Sequence, residues 1–263
     1  MLLDYFSLED KTAIITGSGR GIGEAIATTY AEMGANIVLC ARTQAPLDRV
    51  AGRVRELGRR ALVVTADIND SEALSTVIER TANEFGRIDV VVNNAGGGGH
   101  PHAFLTATEQ GLEETFHNNV TSRFQLSQLA VPHMLDVGGG SIVNITSVLG
   151  RVRDRGWLVS STTNAAVAHM TRLMAADLSP RIRVNAIACG SVATPGLDTV
   201  LKDETIKGAL ERATLMGRLG QPIDVALFAL YLASPASAWV TGKVFEIDGG
   251  QEQCSLSLGL PDL

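Results

Sequence analysis

The sequence predicts an α/β fold in which helices flank a doubly wound parallel sheet of about seven strands. Short runs rich in valine and isoleucine alternate along the chain with longer segments of helical spacing, a pattern typical of strand–helix–strand units that share one sheet. A cluster of glycines directly follows the first run. At 263 residues, such a fold is expected to form a single domain over 1–263 that includes its own ligand cleft.

Strands are predicted where apolar residues occupy successive positions, because strands of a parallel sheet are buried on both faces. The runs are TAIIT at 12–16, NIVLC at 36–40, ALVVTA at 61–66, IDVVVN at 88–93, SIVNIT at 141–146, IRVNAIA at 182–188 and KVFEI at 243–247. Helices are predicted between them. In the segment 71–86, for example, Leu74, Val77 and Phe85 share one helical face.

The composition argues against several classes of protein. A net charge of −6 and only four, scattered lysines argue against nucleic-acid binding. No export signal and no run of about 18 apolar residues is found, so a cytoplasmic location without a membrane anchor is expected. Cys40, Cys189 and Cys254 lack CxxC spacing, and His100 and His102 lack acidic or cysteine neighbours. No disulfide framework and no metal site are therefore predicted.

The glycine cluster predicts a dinucleotide site of the Rossmann type. It follows the first strand and opens a helix, where the absence of side chains lets the backbone turn tightly and approach a pyrophosphate. The candidate residues of this loop are Gly17, Gly19, Arg20, Gly21, Ile22 and Gly23.

Several further motifs resemble those of the short-chain dehydrogenase/reductase family. The glycine spacing from Thr16 to Gly23, the sequence NNAG at 93–96, and the stretch GRLGQPIDV to IDGG at 217–250 are all similar to that family. The resemblance extends from about Phe6 to Gly250, with hydroxysteroid dehydrogenase-like and 3-oxoacyl reductase-like members as the nearest types. It implies an oxidoreductase that interconverts an alcohol and a ketone with a nicotinamide dinucleotide.

The resemblance also implies further cofactor contacts. They are expected at Asp67, Ile68, Asn93, Ala95, Gly96, Gly190, Val192 and Thr194. Asp67 matches the residue that usually contacts the adenine ring, and Thr194 matches the one that contacts the nicotinamide carboxamide.

The charges at the end of the second strand favour NADP(H), with NAD as the other possibility. NAD-dependent relatives carry an acid there, which binds the ribose 2′-hydroxyl and repels a 2′-phosphate. Here Ala41 occupies that position, Arg42 follows it, and Arg20 lies in the glycine loop. Guanidinium groups suit a phosphate, although Arg42 as a simple solvated charge is the alternative.

The catalytic positions that the resemblance implies are Asn119, Ser147, Ser160 and Asn164. Asn119 and Ser147 match the family, whereas Ser160 and Asn164 stand where it has Tyr and Lys. A phenol beside an ammonium can donate a proton near neutral pH, but a serine hydroxyl is a far weaker acid and an amide carries no charge. The site therefore looks degenerate, and impaired catalysis is expected.

No other residue replaces the missing pair in the sequence. Tyr5, Tyr30 and Tyr231 fall outside the expected site, and the helical spacing turns His169 away from the face of Asn164. Cys189 stands where the family usually has Pro; it is either a reactive thiol or, as we favour, a small apolar residue.

Three functions stay open at this stage. The chain is an oxidoreductase that takes its proton from water or substrate, a non-catalytic dinucleotide-binding protein, or a structural subunit of a mixed oligomer.

The arginines of RVRDR at 151–155 either select an anionic substrate or form a solvated loop. The resemblance implies a homotetramer or homodimer that packs through long helices at 109–135 and 158–178, the last strand and the apolar tail at 254–263.

Overall fold

The computed structural model describes residues 1–97, 101–198 and 200–254. Its single seven-stranded sheet is parallel throughout and has the order β3-β2-β1-β4-β5-β6-β7. The strands are β1 (Thr12–Thr16), β2 (Asn36–Ala41), β3 (Ala61–Thr65), β4 (Val90–Asn93), β5 (Gly140–Ser147), β6 (Ile182–Cys189) and β7 (Val244–Ile247). All seven apolar runs therefore form strands, and the predicted fold class is confirmed.

Helices connect the strands. They are α1 (Gly21–Glu32), α2 (Gln44–Glu56), α3 (Ser71–Phe85), α4 (Glu109–Phe116), α5 (Ser122–Asp136), α6 (Leu158–Leu178), α7 (Glu204–Arg212) and α8 (Pro222–Ala233). Short 3₁₀ turns lie at Leu2–Phe6, Phe104–Thr106, Val148–Gly150, Val200–Lys202 and Pro235–Ser237. Among the described residues, no helix is long and apolar enough to span a bilayer.

The core lies on both faces of the sheet. Ile14 and Ile15 are neighbours on β1, are fully buried, and belong to two different apolar clusters. Successive side chains of a strand point to opposite faces, so each residue supports one layer. The Ile15 cluster contains Tyr30 of α1, and the Ile14 cluster contains Leu74 of α3. This two-sided burial is the reason that the strand runs are continuously apolar.

The helix expected over 109–135 differs in the structure. A π-helical turn at His117–Thr121 separates α4 from α5. The hydroxyl of Ser122 donates to the carbonyl oxygen of Asn118 at 2.7 Å. The wider turn contains Asn119, whose side chain is 3% exposed. Hydrophobic spacing does not reveal such a turn, because it changes the hydrogen bonding without ending the helix.

The amino ends of the central strands are joined by the carboxylate of Asp89, which directly precedes β4. It accepts hydrogen bonds from the backbone N–H of Thr12 at 2.9 Å, from Lys11 Nζ at 3.2 Å, and from two nitrogens of Arg87 at 2.7 Å. Burial raises the pKa of Asp89, but the Arg87 and Thr12 hydrogen bonds and the Lys11 charge outweigh it, so the pKa is lowered from that of an ordinary aspartate.

We predict that Asp89 makes the fold sensitive to acid. A carboxyl whose pKa is lowered by folding stabilises the fold fully above its unfolded pKa, and this contribution is lost as pH falls through the folded pKa. The free energy of unfolding, measured by urea titration, should fall as pH is lowered from about 4 toward 2. Asp89→Asn should cost about 1–3 kcal/mol at neutral pH and flatten that acid slope.

Asp177→Asn is the matched control, because Asp177 is exposed on α6. Its effect should stay within about 0.5 kcal/mol. Equal acid slopes for the wild type and Asp89→Asn would contradict the prediction.

Candidate active site

A cleft of about 1020 Å³ lies at the carboxyl ends of β1, β2 and β4. This is the point where the chain crosses from one half of the sheet to the other, which is where open α/β sheets bind ligands. Most of the cofactor residues that the sequence predicts line it. They are Gly17, Gly19, Arg20, Gly21, Ile22, Ala41, Arg42, Asp67, Ile68, Ala95, Gly96 and Thr194.

Two glycines of the loop have demonstrable steric roles. Gly21 has φ +58°, and a Cβ there would lie 3.3 Å from Thr194 Cγ2 across the cleft. Gly23 lines neither cavity described here; a Cβ on it would lie 2.4 Å from the Gly17 carbonyl oxygen. Gly23 therefore allows α1 to pack against the loop, and Gly21 keeps the cleft open.

The first turn of α1 offers unsatisfied N–H groups to the cleft. Its N-cap residue, Arg20, makes no side-chain capping hydrogen bond, so amides that lack an intrahelical partner face the glycine loop. Arg49 fixes this loop by donating to the Gly19 carbonyl at 3.1 Å while it pairs with Glu24 at 2.6 Å. A helix N-terminus with free amides suits an anion such as a pyrophosphate.

Asn93 lies beneath the site and lines neither cavity. Its Nδ2 donates to Asn144 Oδ1 at 2.8 Å and to Ser127 Oγ at 3.1 Å, which joins β4, β5 and α5. Its neighbour Asn94 lines the cleft and donates to the Thr16 carbonyl at 2.9 Å. Of the two asparagines of the motif NNAG, the structure thus places Asn94 at the lining of the cleft and Asn93 in a hydrogen-bonded contact beneath it.

Other lining residues were not expected from the sequence. They are Thr43, Pro46, Ala66, Asn69, Asn94, Glu114, Asn118, Pro195 and Gly196. Six of them adjoin a residue that the sequence singles out, namely Thr43, Ala66, Asn69, Asn94, Asn118 and Pro195. Pro46 of α2, Glu114 of α4 and Gly196 had no such signal, because their approach to the cleft depends on the tertiary fold.

The end of the cleft beside β2 carries positive charge. Arg20 and Arg42 line it, and neither forms an ion pair within the described part of the chain. Thr43, the N-cap of α2, makes no side-chain capping bond, so its hydroxyl and the first amides of α2 add hydrogen-bond donors. The lining carboxylates are Asp67, which accepts from the N–H of Asn69 at 3.0 Å, and Glu114.

A second cavity of about 300 Å³ adjoins the cleft and shares Ile22 and Thr194 with it. Ser147, at the end of β5, lines this cavity, and its Oγ accepts a hydrogen bond from the N–H of Leu149 at 3.2 Å. The remaining lining residues, mostly apolar, are Val148, Leu149, Trp157, Cys189, Gly190, Ser191, Val192, Leu197, Leu210, Gln251 and Cys254. Gly190 and Val192 thus face this cavity instead of the larger cleft.

Asn164 and Ser160 occupy the two degenerate positions on α6. The Thr146 hydroxyl donates to Asn164 Oδ1 at 2.8 Å, and Asn164 Nδ2 donates to the Ser160 carbonyl at 2.9 Å. Ser160 is 4% exposed, and its Oγ lies 3.4 Å from the same Nδ2. Neither residue lines a cavity described here. Their polar groups join α6 to β5.

Asn119 belongs to the same neutral network. Its Nδ2 donates to the Gly97 carbonyl at 3.0 Å and to Thr163 Oγ1 at 3.1 Å, while its Oδ1 accepts from the N–H of Gly97 at 3.0 Å. The structure therefore brings Asn119, Ser160 and Asn164 together behind Ser147, but only Ser147 faces a cavity.

No tyrosine or lysine of the chain lines either cavity, and all of them lie in the described residues. Tyr5 is exposed, and buried Tyr30 donates to the Ala229 carbonyl at 2.8 Å. His169 is exposed on α6. The described part of the site thus holds no tyrosine or lysine in place of Ser160 and Asn164.

Two further sequence hypotheses can be compared with the structure. Burial raises the pKa of Cys189 to about 12, which keeps the thiol protonated and favours the apolar interpretation over a reactive one.

Arg151 pairs with Glu246 at 2.6 Å and with Glu252 at 3.4 Å, so its charge is directed to the C-terminal segment. Within the described residues, no group of His, Cys, Asp or Glu suits a metal; His100 and the tail from 255 lie outside them.

Comparisons with known proteins agree on one family. A family model described as enoyl-(acyl carrier protein) reductase matches residues 17–252. An uncharacterised oxidoreductase of Mycobacterium tuberculosis is 46% identical over 100% of both chains. The 7alpha-hydroxysteroid dehydrogenase of Escherichia coli K12 is 38% identical over 95% of this chain and 97% of its own.

A solved structure agrees as well. A 7alpha-hydroxysteroid dehydrogenase complexed with NADH and 7-oxo glycochenodeoxycholic acid has a TM-score of 0.91 at 38% identity, covering 95% of this chain and 98% of that one.

Proposed function

The chain belongs to the short-chain dehydrogenase/reductase family of oxidoreductases, and we propose that it binds NADP(H) but interconverts alcohols and ketones inefficiently. One observation supports the impairment above all others. The amide of Asn164 is hydrogen-bonded to Thr146 and Ser160, so the positions that would relay a proton form a neutral structural network. The proposal that the chain binds a dinucleotide is based on the residues that line the cleft.

The cleft fits a nicotinamide dinucleotide by its own chemistry. Its floor is backbone at Gly17, Gly19 and Gly21, where side chains would fill the space, and the uncapped start of α1 supplies N–H donors for a pyrophosphate. The guanidinium groups of Arg20 and Arg42 suit the 2′-phosphate that distinguishes NADPH from NADH.

We predict that the wild type binds NADPH more tightly than NADH, and that Arg42 supplies much of the difference. A charge-assisted hydrogen bond contributes about 1.5–3 kcal/mol, so Arg42→Ala should weaken NADPH binding roughly 10- to 100-fold. The affinity for NADH should change by less than about twofold, because NADH lacks the phosphate. Calorimetric titration measures both affinities.

Arg80→Ala is the control, because it removes the same charge from an exposed position on α3 that lines neither cavity. Equal affinity of the wild type for NADPH and NADH would contradict the choice of NADP. Binding of neither would overturn the dinucleotide site and favour the alternative function, a structural subunit of a mixed oligomer.

In the reaction, bound NADPH would supply a hydride, and the protein would orient the substrate and provide a proton. The Ser147 hydroxyl faces the smaller cavity and can donate to a substrate oxygen there. The apolar walls of Leu149, Trp157 and Leu210 favour an apolar substrate body. A carbonyl that accepts a hydride becomes an alkoxide and requires a proton. With Ser160 in place of a phenol, water or the substrate must supply it.

We predict that Ser160→Tyr combined with Asn164→Lys raises ketone reduction strongly. The pair restores a phenol beside an ammonium one helical turn away, and general acid catalysis is worth about 10²- to 10⁴-fold. The kcat should therefore rise by at least about 100-fold. It is measured as NADPH consumption with a panel of apolar ketones, after circular dichroism and NADPH titration have verified folding and binding.

Ser161→Tyr with Ala165→Lys is the matched control. It places the same side chains one residue further along α6, about 100° around the helix, and should leave kcat unchanged. Two outcomes would refute the proposal: rapid turnover by the wild type, or no gain in a folded double variant that binds NADPH.

We further propose that copies of the chain associate through α4, α5 and α6. Four large apolar side chains are 41–55% exposed on these helices, namely Phe116, Phe124, Leu158 and Leu173. An exposed apolar surface of this kind is typical of a protein interface.

Sedimentation velocity should give a dimer or tetramer for the wild type and a lower mass for Phe124→Glu. Leu57→Glu, at an exposed site after α2, should leave the mass unchanged. A monomeric wild type would exclude the interface.

A further inference from the structure

Arg123, in the first turn of α5, is a buried cation without a carboxylate partner. Its side chain is only 6% exposed, and it forms no ion pair with any residue that the structure describes. Burial alone shifts its pKa, lowering it to about 10, so the guanidinium stays charged at neutral pH. A charge in this environment is costly unless dipoles or an anion compensate for it.

Within the part of the chain that the structure describes, the guanidinium donates only to neutral groups. Its Nη1 donates to the carbonyl oxygen of Asn119, and its Nη2 donates to that of Ile145 at 3.0 Å. Its Nε is buried and has no acceptor. Carbonyl dipoles therefore provide the local compensation, and no carboxylate of the described residues pairs with Arg123 to cancel its field. In a poorly solvated site, that field extends several ångströms with little screening.

Arg123 lies directly behind the wall of the candidate site. Gly96 lines the larger cleft, and a Cβ on Gly96 would lie 2.8 Å from Arg123 Nη2. Ile145 precedes Ser147 by two residues on β5, which corresponds to about 6.6 Å along a strand. The cation thus lies within about 10 Å of the serine that faces the smaller cavity. At this end of the cleft, Asn164 contributes no charge of its own.

We propose that Arg123 makes the site prefer the reduced form of the nicotinamide dinucleotide over the oxidised form. This inference rests on the proposed dinucleotide binding and extends it to the balance between the two redox states. The oxidised nicotinamide ring carries a positive charge, and the reduced ring is neutral. A nearby cation raises the free energy of the oxidised complex more than that of the reduced complex. The site would then be biased toward reduction of a carbonyl.

The alternative is that Arg123 only joins α5 to β5. The chain contains a close analogue of that purely structural role in Arg183, at the start of β6. Arg183 also donates to neutral acceptors, namely the Leu232 carbonyl at 2.8 Å and Ser237 Oγ at 2.7 Å. It lies at the opposite end of the sheet and lines neither cavity. Loss of a structural hydrogen bond should weaken the binding of both redox forms alike.

The test is calorimetric titration of the purified 263-residue chain with NADPH and with NADP⁺. The quantity compared is the ratio of the Kd for NADP⁺ to the Kd for NADPH. Arg123→Met removes the charge and retains an apolar stem, and this ratio should fall about fivefold. Arg123→Lys keeps the charge and should hold the ratio near that of the wild type. Arg183→Met should lower the thermal unfolding temperature while leaving the ratio unchanged.

Arg123→Gln provides a second neutral variant that can still donate to a carbonyl, should Arg123→Met fail to fold. A ratio within twofold of the wild type in a folded neutral variant overturns the role of Arg123 and leaves the dinucleotide site standing. A wild type that binds neither form overturns both the site and this inference.

Discussion

Parallel pairing of β1 with both β2 and β4 is the constraint on which the rest of the molecule depends. Thr16 pairs with Cys40 on one side, and Ile15 pairs with Val92 on the other. From this central strand the connections leave in opposite directions, so a crevice opens beyond its carboxyl end. The glycine loop, the NNAG loop and the start of α1 all meet there because each directly follows one of these strands. Side chains then determine only what the crevice binds.

The structure explains why the strands were predictable and parts of the site were not. Ile14 and Ile15 belong to one continuous apolar run because apolar clusters cover both faces of β1. A run of that kind is visible in the sequence. Fixed motif spacing likewise singled out Ser147, Ser160 and Asn164 as candidate positions. By contrast, the π turn around Asn119 preserves a helical pattern while it changes the hydrogen bonding, and the sequence suggested one unbroken helix.

Charge and burial were the least predictable properties. In the sequence, nothing distinguishes Arg123 from other cationic residues of helices. Only the fold shows that Gly96, Ile145 and Asn119 lie against its guanidinium. Arg151 shows the converse, because the sequence left it either as a contact to an anionic substrate or as a solvated charge, and it is paired with Glu246 from β7. Both outcomes depend on contacts between residues distant in sequence, which no local spacing records. Asn93 and Asn94 differ because Asn93 ends β4 and bonds the distant Asn144 and Ser127, whereas Asn94 begins the loop that lines the cleft.

Asn164, which is partly buried, and Arg123, which is buried, also have different chemical capacities. Asn164 supplies hydrogen bonds without charge, whereas Arg123 supplies charge without a transferable proton, because a guanidinium with a pKa of about 10 remains protonated throughout the neutral range. Arg123 can therefore influence the redox state of a bound dinucleotide, but it does not replace a phenol as a proton donor. In the proposed function, cofactor binding and proton transfer, which a tyrosine–lysine pair couples, are separate. The proposed binding elements are backbone amides of the glycine loop and the exposed guanidinium groups of Arg20 and Arg42, none of which belongs to α6.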